Sequence, residues 1–314
     1  MVGTPAAGDA GQTLALLRHY HVGSVILTGR SSLGVEATAH TTAVLQSQAR
    51  SASSVGLPLL IATDQEGGVV QMLGGPGFSR LPTGLQQGST PADSLRAPAQ
   101  AWGFELHAAG VNVDLAPVLD SVPDSGARSN APIGAFNRQF GQDPANVAEH
   151  GLAFMRGMEN AGVNPTIKHF PGLGRVNGNP DNTSAVTDDV TSRHGAYLMP
   201  FVAAIRAGAP IDMVSTATYR LLDPNSPAAF SPTIVTGILR SDLSFTGLVI
   251  SDDLGRAVQV RGWAPGERAV DFVTAGGDLV LTVEPKVIPE MITVVMSKAQ
   301  VDPAFRAQVD AAAL

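Results

Sequence analysis

The stretch Val22-Gly23-Ser24-Val25-Ile26-Leu27-Thr28-Gly29 is apolar, rich in β-branched residues and closed by glycine, which predicts a buried strand. A helical period follows over residues 36–50, and a second apolar run occupies residues 57–64. Parallel strands need a crossover between them, and this crossover is usually a helix. This part of the chain therefore predicts a β–α–β unit.

The same unit recurs along the whole chain. Further strands are predicted at residues 111–117, 164–170, 211–216, 246–252 and 277–282, and residues 1–3 read as the stub of a clipped first strand that leads into a loop at residues 4–8. Helical patterns occupy residues 91–109, 144–161, 192–207, 231–243, 266–275 and 285–299. Eight β–α units predict an α/β protein with the (β/α)8 (TIM) barrel fold.

An open, doubly wound sheet is the rival architecture. It would usually carry a glycine fingerprint after its first strand, and Gly29-Arg30-Ser31-Ser32-Leu33-Gly34 does not match one. No linker or low-complexity segment interrupts the pattern. We therefore expect residues 1–314 to form a single domain.

Composition excludes several classes of function. The 20 basic and 27 acidic residues among 314 give a net charge of −7, which makes nucleic acid an unlikely partner. The absence of cysteine excludes disulfides and thiolate chemistry. No apolar run reaches the roughly 18 residues of a membrane span. The sequence does not indicate an oligomeric state.

Ionisable residues follow several of the predicted strands directly. Asp64 ends the third strand, Asp120 follows the fourth, Lys168 and His169 end the fifth, and Asp252 ends the seventh. Active sites of this barrel lie at the carboxyl ends of the strands, so we expect these side chains to converge. Carboxylates and cations, without a phosphate-binding loop or a metal cluster, fit a neutral polyhydroxylated substrate. An aldolase-type Schiff base on Lys168 remains an alternative.

Four motifs in order carry a family resemblance. They are Asp64-Gln65-Glu66-Gly67-Gly68, the run from Asn112 to Asp120, Lys168-His169-Phe170-Pro171-Gly172 and Ser251-Asp252-Asp253-Leu254. Together they resemble the single-domain β-N-acetylglucosaminidase (β-N-acetylhexosaminidase) branch of glycoside hydrolase family 3. The resemblance implies a bacterial retaining glycosidase, without cofactor or metal, that cleaves terminal β-linked N-acetylglucosamine from cell-wall-derived glycans.

The resemblance also implies roles for individual residues. Asp252 would be the nucleophile, and Asp64, Arg138, Lys168 and His169 would hold the sugar. On physical grounds we expect Lys168 and Arg138 to keep the pKa of Asp252 low.

Neighbouring residues receive secondary roles. We expect Asp253 to brace its loop and Glu66 to orient the turn that carries Asp64. Trp263 is a candidate for the pocket rim, whereas Trp102, His107 and His150 are expected in packing or surface positions.

The chain departs from the family at the general acid. Relatives carry an Asp-Ser-His triplet after the fifth strand, whereas this chain has Asp181-Asn182-Thr183 and no histidine between His169 and His194. The histidine acid of the family therefore cannot be carried over to this chain, and three alternatives stay open: Asp181 is the acid, Asp188 or Asp189 is the acid, or no efficient acid exists. Residues 172–182 have the composition of either a mobile lid or an ordinary surface loop.

Other properties stay open at this stage. Val69 and Thr216 replace an arginine and a histidine that are usual in relatives, which indicates an altered sugar site. A sugar-binding or weakly active protein, a phosphorylase and a transferase remain alternatives to a hydrolase. The resemblance slightly favours the cell envelope over the cytoplasm.

Overall fold

Eight parallel strands form the centre of the protein in the computed structural model, which describes residues 1–52 and 57–313. They are β1 (Val2–Pro5), β2 (Ser24–Thr28), β3 (Leu60–Thr63), β4 (Val113–Asp114), β5 (Asn164–Phe170), β6 (Ile211–Val214), β7 (Leu248–Asp253) and β8 (Leu279–Leu281). Each strand pairs in parallel with the next. Between β8 and β1, Gly3 donates to the Thr282 carbonyl at 2.8 Å and Thr282 donates to the Met1 carbonyl at 3.0 Å. These bonds close the sheet, which confirms the predicted barrel.

A helix follows each strand and covers the outside of the barrel. The helices are α1 (Gly11–Tyr20), α2 (Gly34–Ala52), α3 (Arg96–Ala108), α4 (Pro144–Asn160), α5 (Met199–Arg206), α6 (Thr233–Asp242), α7 (Pro265–Ala275), α8 (Ile288–Val301) and α9 (Pro303–Ala312). Helix α6 is wound with i→i+5 hydrogen bonds, such as Leu243 N–H to the Ile238 carbonyl at 3.0 Å. Within the described ranges, no helix has the length and apolarity to cross a bilayer.

Strand alternation decides which side chains reach the top of the barrel. Residues such as Ala62 and Ile250 belong to an apolar cluster inside the barrel. Asp64 lies two positions after Ala62 and Asp252 lies two positions after Ile250, so both carboxylates lie on the inward side of their strands. Lys168 lies on the inward side of β5 in the same way and is buried.

The elements differ from the predicted ones mainly at their ends. Thr4 and Pro5 belong to β1, although the sequence placed them in a loop. Strand β3 starts at Leu60 because the N–H and carbonyl of Leu59 pair with the side-chain amide of Gln46 at 2.9 and 3.0 Å. Helix α5 begins later than predicted, and α9 was not predicted.

Two small sheets that the sequence did not predict lie above the barrel. One is a hairpin of Gln65–Gly67 with Val70–Gln71. The other joins Thr187–Asp188, Thr218–Tyr219 and Asp223–Pro227, and so connects the loops after β5 and β6.

Candidate active site

A cavity of about 340 Å³ opens at the carboxyl ends of the strands. Its polar lining includes all six residues singled out from the sequence, namely Asp64, Arg138, Lys168, His169, Asp181 and Asp252. Ile26, Leu115, Met213 and Leu281 contribute apolar side chains from the barrel interior. The cavity therefore combines an apolar base with a dense set of charged groups.

Asp64 is held at the cavity by a tight turn. The Gln65 N–H donates to Oδ1 of buried Asp114 at 3.0 Å, which fixes the backbone beside Asp64. Gly67 adopts φ +110°, and a Cβ there would lie 2.1 Å from the Pro82 carbonyl oxygen. This position requires glycine, both for its backbone conformation and for its lack of a side chain.

Glu66 links the two cations of the site. Its carboxylate accepts two hydrogen bonds from Arg138, at 2.8 and 2.7 Å, and lies 2.6 Å from Lys168 Nζ. Lys168 also donates to Asp64 Oδ1 at 2.7 Å. Burial alone would raise the pKa of Glu66, but Arg138 and Lys168 outweigh burial and lower it to about 2.

The ion pairs decide the chemistry open to Lys168. Burial disfavours its ammonium form, but Asp64 and Glu66 outweigh burial and raise the pKa of Lys168 to about 12. A Schiff-base lysine needs a neutral amine and therefore a depressed pKa. The environment of Lys168 thus contradicts the aldolase-type alternative.

His169 is oriented by Asp120. Nδ1 of His169 lies 2.7 Å from Asp120 Oδ2, while Asp120 Oδ1 accepts the N–H groups of His169 at 3.2 Å and Leu173 at 2.7 Å. Since Asp120 acts as an acceptor throughout, Nδ1 carries the proton of this contact. Nε2 then lies 3.4 Å from Arg138 Nη2 and is placed to accept a hydrogen bond. This arrangement suits His169 to binding a hydroxyl group.

Asp252 lines the cavity at the end of β7, but its ionisation differs from the expected one. Burial raises the pKa of Asp252, His169 lowers it in part, and the nearby Asp181 raises it further. The prediction of a low pKa was wrong because burial outweighs the lowering effect of Lys168, whose ammonium is paired with Asp64 and Glu66. Asp253 Oδ1 accepts the N–H groups of Gly255 at 2.9 Å and Val283 at 3.2 Å, which confirms that it braces the loop.

Only one of the three candidate acids lies at the cavity. Asp181 lines the cavity and is in contact with solvent. Desolvation by the surrounding protein atoms raises the pKa of Asp181, and His169 and Arg138 partly offset this effect. Asp188 is buried elsewhere and accepts three hydrogen bonds from Val190 and Thr191. Asp189 is exposed and pairs with Arg220 at 3.2 Å. The alternative that placed the acid at Asp188 or Asp189 therefore has no geometric support.

The loop that carries Asp181 is attached to the loop that follows Asp252. The carbonyl of Pro180 accepts from Gln259 N–H at 3.0 Å, and the carbonyl of Asp181 accepts from Val258 N–H at 3.3 Å. Asn179 Oδ1 accepts the N–H of Asp181 at 3.0 Å. Of the two interpretations of this segment, a mobile lid and an ordinary surface loop, these contacts favour the ordinary surface loop.

The structure gives two residues a larger part than the sequence did. Glu66 pairs with two cations, and Asp120 orients His169; both follow strand ends, which was the available signal. Trp263 was a candidate for the rim, but it packs edge-on against Phe230 with ring centroids 5.4 Å apart and does not line the cavity. Over the described residues, no group of three or more His, Cys, Asp or Glu side chains is placed to hold a metal ion.

Comparisons with known proteins agree on one family. The sequence model described as the glycosyl hydrolase family 3 N terminal domain matches residues 4–313. The crystal structure of a β-N-acetylhexosaminidase from Beutenbergia cavernae DSM 12333 superposes with a TM-score of 0.98 at 48% identity, covering 100% of this chain and 93% of that one. A β-hexosaminidase of Stenotrophomonas maltophilia (strain K279a) is 32% identical over 307 residues, which are 95% of this chain and 87% of the relative.

Proposed function

Because the chain belongs to glycosyl hydrolase family 3 and is a glycosidase, we propose that it removes terminal β-linked N-acetylglucosamine from cell-wall-derived glycans with retention of configuration. Relatives that are a β-N-acetylhexosaminidase and a β-hexosaminidase support a terminal N-acetylhexosamine as the sugar removed. The observation that carries the mechanism is that Asp252 and Asp181 line one cavity together with Lys168 and Arg138. We also propose that residues 1–314 form one catalytic domain.

The proposed reaction has two displacements at the anomeric carbon. In the first, an Asp252 oxygen bonds to C1 while the C1–O bond breaks, and the leaving oxygen keeps the electron pair and takes the proton of Asp181. In the second, water gives a proton to the Asp181 carboxylate, its oxygen bonds to C1, and the bond to Asp252 breaks. The configuration at C1 is inverted twice and therefore retained.

The environments of the two carboxyls favour this division of roles. Burial and the charge of Asp181 raise the pKa of Asp252, and burial together with Asp253 and Asp64 raises the pKa of Asp181. Asp252 Oδ1 accepts the Asp253 N–H at 2.8 Å, and Lys168 further favours its ionised form. No hydrogen bond from the described residues reaches the Asp181 carboxyl, and we assign the proton of the reaction to it.

The remaining polar groups would hold the sugar hydroxyls. Asp64 and Lys168 offer a charged acceptor and donor side by side, and His169 Nε2 offers an acceptor next to Arg138. Charge-assisted hydrogen bonds of this kind bind neutral hydroxyls strongly. A pyranose held by them would present C1 to the two aspartates.

Azide rescue of two variants tests the roles. We expect Asp252→Ala to lose about 10³-fold or more of its turnover of an aryl N-acetylglucosaminide, because the covalent step is lost. Azide should then give the α-glycosyl azide with Asp252→Ala and the β-glycosyl azide with Asp181→Ala, since these arise from one and two displacements. Asp189→Ala, which removes an exposed carboxylate, is the matched control.

Two results would overturn the proposal. Unimpaired turnover by Asp252→Ala would show that Asp252 is not the nucleophile. Sugar binding by the wild-type protein without turnover of any aryl glycoside would instead identify a binding protein.

A further inference from the structure

Three loops meet at the side chain of Gln259, seven residues after Asp252. Gln259 Oε1 accepts the N–H of Val186 at 2.8 Å, and its Nε2 donates to the Val186 carbonyl at 3.2 Å. The same carbonyl accepts the N–H of Thr218 at 3.0 Å. Gln259 thus joins its own loop after β7 to the loop after β5, at a point where the loop after β6 is also bound.

The pairing requires a carboxamide. A glutamine side chain offers one acceptor and two donors, which matches the N–H and carbonyl of a single residue. Gln259 and Val186 are both buried, so an unpaired backbone group there would carry a desolvation cost. Leucine or alanine would leave the Val186 N–H without its partner, and glutamate would place an acceptor against the Val186 carbonyl.

Gln259 binds the chain on both sides of Asp181. The main-chain N–H of Gln259 donates to the carbonyl of Pro180, just before Asp181, at 3.0 Å, and the side chain of Gln259 binds Val186, five residues after Asp181. The segment that bears Asp181 is therefore attached at both ends to the chain that bears Asp252. We propose that Gln259 is a positioning residue that sets the Asp181 carboxyl against the leaving-group oxygen, above the nucleophile.

The inference rests on the proposed function of Asp181 and predicts a specific kinetic signature. A proton donor must lie within hydrogen-bond reach of the leaving oxygen, and small misplacements of catalytic groups cost large factors in rate. Leaving groups of low pKa need no proton, whereas those of high pKa depend on it. Loss of Gln259 should therefore slow poor leaving groups selectively.

The chain offers a matched control in Gln46. Its side-chain amide pairs with the N–H and carbonyl of Leu59 at 2.9 and 3.0 Å, the same contact at the opposite end of the barrel. Gln46→Ala removes a double hydrogen bond of the same kind without touching the loops at the cavity. Any effect of a general loss of stability should appear in both variants.

The experiment measures kcat/KM for aryl N-acetylglucosaminides from 2,4-dinitrophenyl to phenyl. We expect Gln259→Ala to lose about 10- to 100-fold on the phenyl glycoside and less than about 2-fold on the dinitrophenyl glycoside. Gln259→Glu should show the same selective loss of kcat/KM on the phenyl glycoside. Gln46→Ala should leave the dependence of kcat/KM on leaving-group pKa unchanged. Asp181→Asn should show the steepest dependence, and thermal unfolding should verify that each variant is folded.

The possible outcomes separate the inference from its premise. Suppose that Asp181→Asn shows a steep dependence of kcat/KM on leaving-group pKa. If Gln259→Ala then loses kcat/KM equally on all leaving groups, or loses none, the positioning role of Gln259 is overturned. A wild-type dependence that Asp181→Asn leaves unchanged would instead refute Asp181 as the acid, and the role of Gln259 with it.

Discussion

Glu66 holds the charged part of the site together. It is 4% exposed and contacts Lys168 and Arg138, the two cations that line the cavity. Without its negative charge, the two cations would face each other, with the Asp64 carboxylate still in contact with Lys168. Glu66 therefore sets the geometry of the groups that we propose to bind the sugar, although it touches no reacting atom in that proposal.

We expect Glu66→Gln to lower both stability and activity. Removing one partner of a buried ion pair costs about 3 kcal/mol of unfolding free energy, because the cations lose their compensation. Displaced binding groups should lower kcat/KM by about 10²-fold. Denaturant unfolding and aryl glycoside kinetics measure the two effects. Glu105→Gln, in which an exposed carboxylate bonded to Ser79 is changed, serves as control and should show neither effect.

The positions of the site residues could be predicted better than their ionisation. Asp64, Lys168, His169 and Asp252 follow strands, and the barrel brings strand ends together whatever the details of packing. The pKa of Asp252 could not be predicted, because it depends on which carboxylate each cation pairs with. That pairing is set by the turn at Glu66 and by the path of the loop carrying Arg138, neither of which sequence spacing determines.

Strand β6 carries a buried carboxyl that the site does not use. Asp212 lies in register with Ile167 and Val249, which belong to the apolar layer between sheet and helices. Neither oxygen of Asp212 has a hydrogen-bond partner among the described residues, and burial raises its pKa well above the usual range, partly offset by Arg240. Burial without a hydrogen-bond partner thus favours the protonated form of this carboxyl in the folded protein.

We expect Asp212→Asn to stabilise the protein more at pH 8 than at pH 5. The folded pKa lies above the unfolded value of about 3.8, so the folded state binds the extra proton and stability falls as pH rises toward the folded pKa. The variant should gain about 1 to 2 kcal/mol at pH 8. Denaturant unfolding at both pH values tests this; an equal change at both would show that ionisation of Asp212 is not the cause.

Elements were predicted well where their signal is local. The barrel strands and most helices have apolar periodicity or terminal glycine and proline signals of their own. The sheet joining Thr187, Thr218 and Asp223 has none, because its backbone bonds link short polar segments of different loops that the closed barrel brings together. The hairpin at Gln65–Gln71 is local, but its strands of three and two residues are too short to show a periodicity.

The raised pKa values of the aspartates at the cavity are a property of the assembled molecule. Asp64 comes from β3, Asp181 from the loop after β5, and Asp252 from β7, so their mutual repulsion exists only in the folded barrel. Both Asp181 and Asp252 have raised pKa values for this reason and because of burial.

We expect a bell-shaped dependence of kcat/KM on pH. Activity should fall on acidification as Asp252 takes up a proton, at a pH above the usual aspartate range, because its pKa is raised. Activity should fall on the alkaline side as Asp181 loses its proton. With a phenyl glycoside, whose leaving group needs the proton, Asp181→Asn should lack the alkaline limb that the wild type shows; its persistence in the variant would assign that limb to another group.

The closeness of the two carboxyls has a consequence for inhibitors. A sugar analogue with a ring ammonium in place of the anomeric carbon would offset one negative charge of the aspartate pair and so favour the state in which both carboxyls are ionised. Its affinity should increase over the alkaline range in which turnover declines, as long as the amine itself stays charged. Tight-binding iminosugars and productive substrates would then select opposite protonation states of one cavity.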